Sequence, residues 1–138
     1  MEPIQNQNNC CEDQAQTFSC SCACGSAPTL LFPCSGGCDV GALTDLACRH
    51  LTANRFAKMY CLAGIGGRVS EILTLTRAAE RIVVIDGCAL NCAKATFEQA
   101  GLTNFFYLNL ADMGMLKDQS PVTNERILQI VKEVKNLP

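Results

Sequence analysis

The sequence predicts a small α/β domain built on a parallel four-stranded sheet, and three observations predict it. Short apolar runs alternate with stretches in which apolar residues recur at helical spacing. The run Ile82-Val83-Val84-Ile85 is β-branched throughout, as a strand covered on both faces should be. The strand candidates also end in breakers: Pro33, the glycines between 64 and 67, and the pair Asp86-Gly87.

Residues 1–28 read as a polar, flexible leader with almost no aliphatic side chains, unable to offset its own ordering entropy. The domain is then expected over 29–138. Thr29-Leu30-Leu31-Phe32 makes the first strand. Asp39 is a natural N-cap, and Val40, Leu43, Leu46, Ala47 and Leu51 follow a helical period, with Arg49 and His50 near the helix end, where cations suit the dipole. Residues 57–62 read as the second strand, and 63–67 as a glycine-rich turn into a helix over 68–80. The third strand covers 81–85 and the third helix 89–100, stopped by Gly101. A fourth strand over 104–110 leads through an irregular connection, 111–119, to a last helix. Pro121 and Thr123 offer its start, and Ile127, Leu128, Ile130, Val131 and Val134 its apolar face.

This β-α-β-α-β-α-β-α order implies a three-layer, Rossmann/flavodoxin-like arrangement; right-handed crossovers limit the topologies, and strand order 2-1-3-4 is the one proposed. Ligands of such sheets bind beyond the carboxyl ends of the strands, at the switch point between the first and third.

Composition narrows the chemistry. The 138-residue chain carries a formal net charge of −2, so no basic field invites nucleic acid, and Trp is absent. No apolar run is long enough to span a membrane. The outlier is cysteine, at 11 residues. The count is odd and no secretory signal is read at the start, so a reducing, cytoplasmic setting with metal or redox chemistry is expected rather than a disulfide scaffold.

The cysteines sit at matching places. Cys34 follows the first strand, Cys61 ends the second, and Cys88 follows the third. Cys38 and Cys92 each come four residues further on, at helix starts, where thiolates are favoured. All five therefore face one rim. Strands two apart are roughly 9.6 Å apart, so the loops must lean inward for Cys61 and Cys88 to share a metal. Tetrahedral zinc takes four ligands and leaves one of the five spare. Cys48, alone in mid-helix, reads as a buried apolar residue. Cys10, Cys11, Cys20, Cys22 and Cys24 in the leader could form a second metal site. The turn 64–67 with Arg68 lacks the spacing of a phosphate loop, His50 stands alone, Lys94 reads as solvated, and Asp86 reads mainly as a turn former with Gly87.

Asp86-Gly87-Cys88-Ala89-Leu90-Asn91-Cys92-Ala93-Lys94 resembles the central motif of the DGC-domain zinc-binding proteins. The resemblance extends to Cys34-Ser35-Gly36, Asp39-Val40-Gly41 and Cys61-Leu62-Ala63-Gly64-Ile65-Gly66-Gly67, and so covers about 29–135. It implies one zinc at the rim, held by Cys34, Cys61, Cys88 and Cys92, with Cys38 as an additional thiol, and it implies no substrate. The leading expectation is thus zinc binding with a structural, sensing or metal-handling role. A thiol enzyme handling sulfur, selenium or a metalloid through Cys34/Cys38 or Cys88/Cys92 is the alternative, though it lacks a general base. An iron–sulfur protein is the third reading.

Overall fold

The computed structural model describes residues 28–138; the leader and its five cysteines lie outside the described residues. The elements are β1 (Thr29–Pro33), α1 (Asp39–Ala53), β2 (Lys58–Met59), α2 (Leu62–Gly66), α3 (Ser70–Arg77), β3 (Arg81–Asp86), α4 (Cys92–Gln99), β4 (Phe106–Asn109), a 3-10 turn (Leu110–Met113) and α5 (Asn124–Asn136). The four strands form one parallel sheet in the order β2-β1-β3-β4. The topology is the one read from the alternation of elements.

Side-chain alternation along the two central strands divides the core. Leu31, Val83 and Ile85 point to one face, where Val40, Leu43, Ala47 and Leu51 of α1 and Ile130, Val131 and Val134 of α5 cover them. Leu30, Phe32, Ile82 and Val84 point to the other, against Ile65 of α2 and Ala93 and Phe97 of α4. Phe97 meets Phe32 and Phe105 edge to face, with centroids 4.8 and 5.4 Å away. Each fully buried Leu, Val or Phe stabilises the fold by about 1.5–3 kcal/mol. Among the described residues no helix is long and apolar enough to cross a membrane.

Three local expectations are corrected. The second strand is only Lys58–Met59, because β2 is an edge strand that pairs with β1 alone, and the chain turns at Cys61. The glycine-rich stretch is no turn but the short helix α2. Gly64 packs closely there, since a Cβ would stand 2.4 Å from Ile72 Cδ1. The third helix begins at Cys92 rather than at 89, because Asn91 takes a left-handed conformation at φ 53° and halts any earlier turn. Gly101, at φ +70°, closes that helix as expected.

Candidate functional site

The carboxyl ends of β1 and β3 open onto a cavity of about 510 Å³. Cys34, Cys38, Cys88 and Cys92 line it, together with Gly36, Gly37, Asp86, Gly87, Leu90, Lys117 and Asp118. Four of the five rim thiols expected from the sequence therefore meet one space. Cys61 is not part of its lining. It is exposed at the N-cap of α2, where its sulfur accepts the Gly64 amide at 3.3 Å. All six described cysteines are free, and Cys48 is wholly buried in the α1 face of the core, as expected.

Two close backbone approaches bring the thiol-bearing loops together. A Cβ on Gly87 would lie 2.8 Å from the Val40 carbonyl carbon, so the loop carrying Cys88 rests directly on the first turn of α1. A Cβ on Gly41 would lie 2.4 Å from the Gly36 carbonyl oxygen, so the Cys34–Cys38 loop folds against the same turn. Only glycine allows either contact. The Cys34 amide extends the β1–β3 ladder, donating to the Ile85 carbonyl at 2.9 Å. Thr44 donates to the Gly41 carbonyl at 2.8 Å, leaving its oxygen to receive the Cys34 thiol proton at 3.5 Å.

Asp39 is not the N-cap; Cys38 occupies that position, and Asp39 is the first helical residue. Its carboxylate accepts the amides of Val40 (2.8 Å), Asp118 (2.8 Å) and Ser120 (2.7 Å). These bonds, the Asp118 amide first, hold the Asp39 pKa below its usual range against the opposing effect of burial. They also fasten the 117–120 loop beside the cavity.

Beneath the thiols lies a polar network that the sequence reading did not assemble. Asp86, 1% exposed, accepts the amides of Ala93 (2.8 Å) and Lys94 (2.9 Å), so a strand residue caps α4 from below. Hydrogen bonding to helix amides, not turn formation, is thus its main work. Asn91 Oδ1 receives the Tyr107 hydroxyl and the Asn109 amide, each at 2.8 Å. Asn109 also donates to the Cys88 carbonyl at 3.1 Å, and the Tyr107 oxygen lies 3.2 Å from Asp86 Oδ2. The β3–β4 register sets Tyr107 beside Val84 and Asn109 beside Asp86, which brings both side chains under the Cys88–Cys92 turn. Burial pushes the Tyr107 pKa up to about 12, with the Asp86 charge adding to it. Lys94 is not simply solvated: its ammonium stands 5.0 Å from the Tyr107 ring centre.

Helix-start placement does not lower the Cys92 pKa. Desolvation raises it first, and the neighbouring Asp86, Cys88 and Cys34 add to the rise. The donor set, four thiols without histidine, suits a soft metal ion. Among the described residues, however, no three of His, Cys, Asp or Glu are grouped closely enough to hold one. The rim gathers thiols around a cavity without drawing them to bonding distance.

The sequence matches the family model described as DGC domain over residues 30–134. The anaerobic and virulence modulator AnvM of Pseudomonas aeruginosa is 36% identical over 88 residues, which cover 64% of this chain and 67% of AnvM. No solved structure matches.

Proposed function

We propose, for a chain that belongs to the DGC-domain family, a role as a zinc-binding regulatory module rather than an enzyme with turnover. The observation that carries this reading is the convergence of four thiols from two chain segments, the loops after β1 and β3, on one cavity at the sheet's switch point. Cys34, Cys88 and Cys92 supply three ligands, and a fourth thiol comes from Cys38 or Cys61. Bound zinc would cross-link the loops after β1 and β3. The chain's own residues hold the supports: Gly41 and Gly87 keep the loops in contact, and Asp86 and Asn109 anchor the Cys88–Cys92 turn. The name of AnvM, a modulator, supports regulation over catalysis.

The test is metal content per chain by mass spectrometry, on protein purified without added metal. About one zinc supports the reading, and Cys88→Ser should then lose it. Iron with a brown colour turns the assignment to a cluster. Metal-free protein with one thiol pair that cycles between reduced and oxidised forms turns it to redox chemistry.

A further inference from the structure

We infer that the fourth thiol of this centre is Cys38, and that Cys61 stands outside it. The inference rests on the metal-binding reading above and departs from the ligand set that the family resemblance implies. Cys38 lines the cavity with Cys34, Cys88 and Cys92, whereas Cys61 does not. The difference follows from backbone placement. Cys38 is two residues from Val40, whose carbonyl carbon lies 2.8 Å from where a Gly87 Cβ would stand. The start of α1 and the Cys88 loop are therefore already in contact. Cys61 follows the edge strand β2, with all of β1 between it and β3. Its sulfur is engaged as the cap of α2, accepting the Gly64 amide. Bringing Cys61 to the cavity would uncap α2 and move a segment whose Gly64 packs tightly on Ile72. Cys38 already lines the cavity, so bringing it to bonding distance asks for a local shift at the start of α1. The bond formed in each case is sulfur to metal, with the thiol proton released to solvent.

Both residues occupy N-cap positions, where only the Cys61 sulfur accepts a helix amide, and serine is itself a preferred N-cap. Cys38→Ser and Cys61→Ser therefore keep their helices, and loss of metal in either variant reports ligation rather than unfolding. Two measurements on the full-length chain decide the matter. In the first, alkylation by iodoacetamide is followed cysteine by cysteine with and without zinc chloride. Zinc should slow modification at Cys34, Cys38, Cys88 and Cys92 and leave Cys61 as reactive as before. In the second, zinc affinity is measured by chelator competition. Cys38→Ser should weaken it by no less than the roughly tenfold that loss of a supporting contact costs, while Cys61→Ser leaves it within about twofold. Zinc protection of Cys61 with Cys38 unprotected, or equal affinities in the two variants, overturns the inference alone. Zinc that protects no rim thiol removes the metal reading and this inference with it.

Discussion

Replacing Gly87 with alanine tests whether the contact between the Cys88 loop and α1 builds the rim. The added methyl would stand 2.8 Å from the Val40 carbonyl carbon and 2.9 Å from its oxygen, and both are backbone atoms of a helix that packs on the core. Overpacking of this kind costs about 1–3 kcal/mol. Against it, alanine restricts the unfolded chain and returns about 0.4–1 kcal/mol. The net loss is then up to about 2.6 kcal/mol, or up to roughly 10 °C in Tm for a domain of this size. Gly37→Ala is the matched control on the same rim. It has nothing within 4 Å of the new methyl, so only the unfolded-state effect remains and Tm should hold or rise slightly. Thermal denaturation of the metal-free proteins reads both. Zinc affinity should fall in Gly87→Ala, because the loop carrying Cys88 must lift away from the helix that carries Cys38. Equal Tm shifts of the same sign in the two variants would refute the reasoning, since the structure makes one site full and the other empty.

Other consequences are separable. Burial raises the Cys48 pKa far above its usual value of 9.0, so the folded chain holds that proton more tightly than the unfolded one. The stability this gives is fully present below pH 9 and declines above it by up to about 1.4 kcal/mol per pH unit; Cys48→Ala should flatten the alkaline limb of a denaturation series. Asp86→Ala strands the Ala93 and Lys94 amides and should cost about 2–4 kcal/mol, read by chemical denaturation, with a fraying of α4 seen in amide exchange. Asp39, whose pKa is lowered, holds the 117–120 loop through both carboxylate oxygens, and protonation weakens that hold. The amide signals of Asp118 and Ser120 should therefore shift as pH falls through and below 3.8, and Asp39→Asn should show the acid-like signals at neutral pH. Zinc at about 100 times its dissociation constant should add about 2.7 kcal/mol of stability, and chelator should reverse it.

The sheet was legible because its signals are local and redundant. β3 is a β-branched run, and every crossover leaves a helical stretch, so parallel direction followed from connectivity, while the order 2-1-3-4 was proposed from among those that right-handed crossovers leave. α2 was not legible, because two glycines in five residues argue against helix on propensity alone. What overrides propensity there is the tight fit of Gly64 on Ile72, a tertiary fact. The start of α4 was misplaced for a related reason. Ala89 and Leu90 suit a helix, and nothing in the sequence says that Asn91 turns left-handed with its side chain held by β4. The thiols at strand ends could be assigned to one rim from topology. Whether a given thiol then faces the cavity depended on the length of β2, which hydrophobic pattern does not fix. Tyr107 and Asn109 did leave a trace, two polar-tipped residues two apart on a strand and so on one face. Reading it required the β3–β4 register.

The distribution of rigidity bears on which metal role fits. In a structural zinc domain the metal supplies folding energy, and the chain without it is unfolded. Here the core closes through Leu31, Phe32, Val83, Val84, Leu43, Phe97 and Ile130, all fully buried, and the four cavity thiols lie outside that list. The supports beneath the rim are satisfied without sulfur as well: Asp86 by helix amides, Asn91 by Tyr107 and Asn109, and the two loop crossings by glycine. A ligand that draws the thiols together must therefore work against loops held at their bases, and its apparent affinity is reduced by the fraction of time the loops stand closed. That reduction suits a centre that gains and loses its metal as conditions change better than one that keeps it permanently. Under the zinc reading proposed above, a fold closed by its own core would outlast the metal, and occupancy could then carry a signal.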